Sequence, residues 1–233
     1  MLALHTWTLD TTPLAEVLRV AKRVGWDGIE LRRVDFARAA EAGKRAEDVL
    51  ALVEASGLGV ACVGVEPGWM GAEDAERERL FGAFAESCRW AAELGARTVM
   101  SPVDRGRLDL RRAATSLRAV GELAVKHGVR LALEFNSQAE QLNTLASVRE
   151  VLALANDPSC GLLLDTYHLG RSGATLAEIE KVRSPRSPTC SSATCRGAAS
   201  SPARRSTVCR RAGAACPSRR SLRSWRARAI AAS

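Results

Sequence analysis

Four polar residues of this 233-residue chain have the types and spacing to do chemistry together. They are Glu134 and Asn136 in LALEFN (131–136), and Asp165 and His168 in GLLLDTYHLGRSG (161–173). In the second stretch the apolar run Leu162, Leu163, Leu164 ends in a carboxylate, and an imidazole follows three residues later. In the first, two-residue alternation puts Ala132, Glu134 and Asn136 on one face of a strand and Leu131, Leu133 and Phe135 on the other. An acid and an imidazole at the end of a buried strand can supply a metal ligand and a substrate contact at the mouth of a parallel sheet. Each residue also has a plainer reading. Asp165 would serve as an N-cap, His168 as the cap of a turn, and Glu134 as a buried acid paired with an arginine.

The elements that must position these residues alternate along the chain. Strands are expected at Leu2–Leu9, Ile29–Leu31, Val60–Val65, Thr98–Val103, Val129–Asn136 and Cys160–Asp165. Helices are expected at Leu14–Val24, opened by Pro13, and at Ala46–Ala55, Glu73–Leu94, Leu110–His127, Leu142–Ala155 and Thr175–Val182. This makes six strand–helix units of about thirty residues, each punctuated by a glycine just past its helix. Such alternation implies parallel strands with right-handed crossovers, in either an open doubly wound sheet or a (β/α)8 barrel. No strand-to-helix turn carries GxGxxG or GxxxxGK[ST], so the nucleotide-cradling loop of a doubly wound fold is missing. Polar groups gather instead where strands finish: His5, Glu30, Glu66, Ser101, Glu134 with Asn136, and Asp165 with His168. On a barrel these ends converge on one mouth. The expected fold is therefore α/β of the (β/α)8 TIM-barrel type, with six units recognisable and strands seven and eight missing as written. His5 stands between core packing and pocket wall, Glu30 and Glu66 are pocket candidates, and His127, in the last turn of a helix, is structural.

With Glu134 ending one strand and Asp165 the next, the pattern resembles the xylose-isomerase-like TIM barrels. More narrowly, it resembles the sugar phosphate isomerase/epimerase group, relatives of inosose dehydratases, hydroxypyruvate isomerases and ketose 3-epimerases. LALEFN, LLLDTYHLGRSG and, more weakly, GWDGIELRR at 25–33 carry the resemblance, which covers residues 1–182. It implies one divalent metal held by Glu134 and Asp165, with two further ligands from strands seven and eight. Hard oxygen donors point to Mn²⁺, Mg²⁺ or Co²⁺. It also implies Glu134 as the base that moves a proton beside a carbonyl through a metal-stabilised enediolate. The sugar or polyol substrate would be met by His168, Asn136, Glu66, His5 and Arg171. An inosose-type dehydratase is the nearest alternative. An apurinic endonuclease of the same fold would need a basic groove and several histidine ligands, against three histidines in this chain.

Charge is unevenly spread. Residues 1–182 hold 22 of the 34 basic and all 26 acidic residues, whereas the remainder holds twelve arginines and no acid. The body is acidic, which argues against a nucleic-acid surface there. Cys62, Cys88 and Cys160 lie on apolar segments and read as small buried hydrophobes. Cys190, Cys195, Cys209 and Cys216 form no CxxC pair and have no histidine nearby, so no zinc site is expected there. The first ten residues lack the features of a signal peptide, and no apolar run approaches a membrane span, so a cytoplasmic protein is expected, with an oligomer left open.

Residues 183–233 lose all periodicity and are rich in Arg, Ser, Ala and Pro. Such a segment reads as disordered, as a nucleic-acid- or membrane-binding arm of a non-catalytic protein, or as the wrong frame of GC-rich DNA. Shifted by one base, with synonymous codons chosen freely, SPTCSSATCRG (187–197) can encode PDVQLSDLPG, which resembles the family's seventh strand. A frame shift near Val182 is the expectation, and an unshifted frame in the native DNA would refute it. The chain as written is then expected to be poorly stable and catalytically impaired, which isomerase turnover by the purified chain would contradict.

Overall fold

A computed structural model describes residues 1–183. Its elements are β1 (Ala3–His5), a 3-10 turn (Thr6–Leu9), α1 (Leu14–Val24), β2 (Gly28–Leu31), α2 (Arg33–Glu41), α3 (Ala46–Ser56) and β3 (Gly59–Gly64). They continue as α4 (Asp74–Glu93), β4 (Thr98–Pro102), α5 (Leu110–Lys126), β5 (Arg130–Glu134), α6 (Leu145–Ala155), β6 (Cys160–Leu163), α7 (Thr166–Arg171) and α8 (Leu176–Arg183). The strands pair in chain order from β1 to β6, and every pair is parallel. A doubly wound sheet reverses its strand order at a switch point, whereas a TIM barrel winds in one direction only. The order seen is the barrel's. The expectations attached to the chain beyond Arg183, namely the out-of-frame tail, its four cysteines and the missing last two strands, lie outside the described residues.

The sheet has two different faces. Leu4, Ile29, Leu31, Val63, Val99, Leu131, Leu133 and Leu162 join one large core with Val17, Leu18, Val53, Phe84, Leu117 and Val151 of the helices. The other face carries a separate small cluster of Cys62, Met100, Ala132 and Leu163, which are consecutive staves of a barrel interior. Period-two alternation along β5 therefore sends Leu131 and Leu133 outward and Ala132 inward, with Glu134 next on the inner side.

Several strands stop earlier than their apolar runs. β1 ends at His5 because His5 Nδ1 accepts the Trp7 N–H and turns the chain into the 3-10 turn. β5 ends at Glu134 because Asn136 donates its N–H to Leu142 O while its side chain accepts from Gln138 N. β6 ends at Leu163, two residues before Asp165 caps α7. Asn136, Asp165 and His168 thus stand beyond the strand ends, where active-site loops of barrels lie.

Two helices have no counterpart in the sequence reading. In α2 the Asp35 carboxylate accepts the Arg32 N–H, and Phe36 stacks on Trp90 at 3.9 Å. Its single buried aromatic gives no helical period to read. The short α7 replaces the loop expected after Asp165. α6 closes on Asn156 at φ 47°, where the expectation was a glycine; Asn tolerates this left-handed conformation better than most residues. After β3, the Asp104 carboxylate accepts the N–H groups of Gly68 and Gly71, and the Trp69 indole donates to Ser101 Oγ. Among the described residues no helix is long and apolar enough to cross a membrane.

Candidate metal and substrate site

Glu134 closes β5, Asp165 follows β6, and His168 sits in the first turn of α7. One ligand atom from each lies within 4.8 Å of the others, the only such group of metal-binding types among the described residues. All three are buried, at 2%, 3% and 5% exposure. Two carboxylates this close repel each other when both are ionised. A divalent cation between them would turn that repulsion into attraction. Two hard oxygen donors with an imidazole beside them fit such an ion.

The two readings of Asp165 coexist. Its Oδ1 accepts the Tyr167 N–H at 2.7 Å and so caps α7. A carboxylate has two oxygens, so capping is compatible with membership of the cluster.

His168 is oriented from its far side. The Ser137 backbone N–H donates to Nδ1 at 3.3 Å, and the Ser137 hydroxyl lies 2.9 Å from the same nitrogen. A nitrogen that accepts from a backbone N–H carries no proton, so this bond assigns the proton of the neutral ring to Nε2. Nε2 is then a hydrogen-bond donor, which suits a substrate oxygen better than a cation. Tyr167 and Phe135 wall the ring, at centroid distances of 5.2 and 6.1 Å.

The remaining candidates occupy different surroundings. Asn136 is buried beside Glu134, with its amide oxygen committed to Gln138 N. His5 and Glu30 are buried and face each other at the ends of β1 and β2. Glu66 is half-exposed and held by Arg79 at 2.6 Å, with Arg33 at 3.9 Å. Arg171 is exposed on α7, its guanidinium 5.8 Å from the Tyr167 ring. His127 forms the C-cap of α5. Ser137 escaped the sequence reading. Its place next to Asn136 was the one available signal, since nothing in the spacing ties it to a histidine thirty-one residues away.

A family model described as xylose isomerase-like TIM barrel matches residues 18–186. Among solved structures the chain is similar to the zinc-bound IolI protein, with TM-score 0.68 and 18% identity, covering 81% of this chain and 69% of that one. It is similar to the probable 3-DHS dehydratase AsbF of Bacillus anthracis, with TM-score 0.66 and 17% identity over 78% and 69% of the two chains. It also matches the 3-keto-D-glucoside 4-epimerase YcjR of E. coli, with TM-score 0.62 and 22% identity over 76% and 72%. Of several other solved relatives it spans less than two thirds. No curated protein matches the sequence.

Proposed function

Because the chain belongs to the xylose isomerase-like TIM barrel family, we propose that it binds a divalent metal through Glu134 and Asp165 and acts on a sugar or polyol, with turnover impaired in the chain as written. The reaction proposed is proton transfer at a carbon next to a carbonyl, as in isomerisation and epimerisation. The observation that carries this reading is the convergence of Glu134, Asp165 and His168 within 4.8 Å. The zinc in IolI and the epimerase named among the structural relatives support it.

A bound divalent ion would supply Lewis-acid stabilisation to the substrate oxygens as charge develops on them. The rest falls to the chain. Glu134, buried at the end of β5, takes the proton from the substrate carbon and returns it. Asp165 is held in place by its capping bond from Tyr167 N, which restricts its carboxylate to one orientation. His168, with Nδ1 anchored by Ser137, offers Nε2–H to a substrate oxygen, and Asn136 lines the same edge. A dehydratase would share the first proton removal and then expel a hydroxyl, a reading favoured by the likeness to AsbF. Release of water distinguishes the two outcomes.

The test is metal content. The full chain, dialysed against Mn²⁺, Co²⁺ or Zn²⁺ and analysed by elemental mass spectrometry, is expected to retain one ion. Glu134→Gln and Asp165→Asn are expected to lose it. Equal metal content in all three proteins would refute the assignment.

A further inference from the structure

A second buried acid–imidazole pair takes no part in the proton transfer. His5 and Glu30 are register partners on β1 and β2, exposed by only 1% and 3%. Their chain neighbours Leu4, Ile29 and Leu31 belong to the helix-side core. By strand alternation His5 and Glu30 therefore point to the other face, the one that carries Ala132 and Glu134. The imidazole is oriented as well: Nδ1 accepts the Trp7 N–H at 3.0 Å, which assigns the proton of the neutral ring to Nε2. Nε2 lies 3.9 Å from Glu30 Oε1, too far for a direct hydrogen bond. An oxygen at about 2.8 Å from both atoms would see them roughly at a right angle, within reach of a hydroxyl's donor and acceptor directions. A hydroxyl supplies the acceptor for Nε2–H and the donor for the carboxylate. A phosphate or carboxylate there would instead set negative charge against Glu30.

We propose that His5 and Glu30 form a hydroxyl clamp that binds the end of the substrate remote from Glu134 and Asp165. The six described strands pair in chain order, so β1 and β2 stand four places from β5 and β6, a separation that in an eight-stave barrel of this family is half the circumference and sets the two pairs face to face across the interior. The substrate that engages both ends is an uncharged polyhydroxylated chain longer than a triose. This inference rests on the proposed function, because it takes the reacting end of the substrate to lie at Glu134.

Calorimetric titration of the full chain with Mn²⁺ present tests it, using dihydroxyacetone and D-fructose as probes. The triose offers a hydroxyketone to the first pole and cannot span to the clamp. The unsubstituted chain is expected to bind fructose more tightly than the triose; equal affinities overturn the clamp without calling on any variant. Glu30→Gln is expected to weaken fructose about tenfold, in the range of a hydrogen bond to a charged group, and to leave dihydroxyacetone unchanged. His5→Gln, checked like Glu30→Gln by thermal melting, is expected to show the same selectivity. Equal losses for both ketoses, or no loss for fructose, overturn the clamp and leave the proposed function standing. Absence of metal-dependent binding of either ketose to the unsubstituted chain overturns the proposed function, and the clamp with it.

Discussion

The Ser137 backbone N–H donates to His168 Nδ1 at 3.3 Å across thirty-one residues of chain, tying the loop after β5 to the first turn of α7. The bond joins the two loops that carry the candidate site. Long-range proton–nitrogen NMR correlations of the neutral ring are expected to show Nδ1 unprotonated and Nε2 protonated. Ser137→Ala keeps the backbone donor and removes the hydroxyl, at an expected cost of about 1 kcal/mol in urea unfolding. A protonated Nδ1 in the neutral ring would contradict the assignment.

Removing either candidate ligand separates repulsion from coordination. Without metal, Glu134→Gln takes away one of two neighbouring negative charges, so its melting temperature is expected to equal or exceed that of the unsubstituted chain. With Mn²⁺ at a hundredfold excess over Kd, the unsubstituted chain is expected to gain about 2.7 kcal/mol, and the variant nothing. Asp165→Asn should behave likewise, because Asn is as good an N-cap as Asp and α7 survives. Differential scanning calorimetry with and without the ion decides both.

Two helical glycines predict opposite outcomes. A Cβ on Gly121 in α5 would lie 2.4 Å from Asp157 Oδ2 and 2.6 Å from Ser159 Oγ, inside the turn that launches β6. Gly121→Ala is expected to cost about 1–3 kcal/mol through overpacking. A Cβ on Gly82 in α4 meets nothing within 4 Å, so Gly82→Ala is expected to stabilise by about 0.5–1 kcal/mol through helix propensity. Urea melts reporting the same sign for both would refute the packing argument.

Burial raises the Asp104 carboxyl above its ordinary value of 3.8, partly offset by the N–H groups of Gly68, Met70 and Gly71. A group that holds its proton more tightly when folded favours the folded state at low pH. Its contribution is complete below the unfolded value and is lost as pH rises through the folded one. The stability of the unsubstituted chain relative to Asp104→Asn is therefore expected to fall between pH 3.8 and the raised value, then level off. A difference that rises over that interval in denaturant titrations would reverse the sign.

Burial also pushes the thiols of Cys88 and Cys160 up to about 12, with the Asp157 charge adding to the second. Thiolates are the reactive form. Iodoacetamide at pH 8 is expected to leave both unmodified in the folded chain and to label both in urea, as read by peptide mass mapping.

Local patterning determined much of this protein. Local apolar periods, helped by helix-closing glycines such as Gly25 and Gly57, marked six of the eight described helices and all six strands, because each rests on chemistry within a few residues. The inward face of β5 was legible for the same reason. Helices α2 and α7 were not, since one is secured by Phe36 stacking on a tryptophan fifty-four residues away and the other by a capping carboxylate that local chemistry also allowed to be a plain turn. In the site, the residue types of Glu134, Asp165 and His168 were visible in the chain. Their approach to within 4.8 Å was decided by the order in which the strands pair. So were the anchoring of His168 by Ser137 and the facing of His5 and Glu30. Spacing along a chain reports which face a side chain takes. Only the wound sheet, by bringing strand ends together in space, selects the partners it meets there.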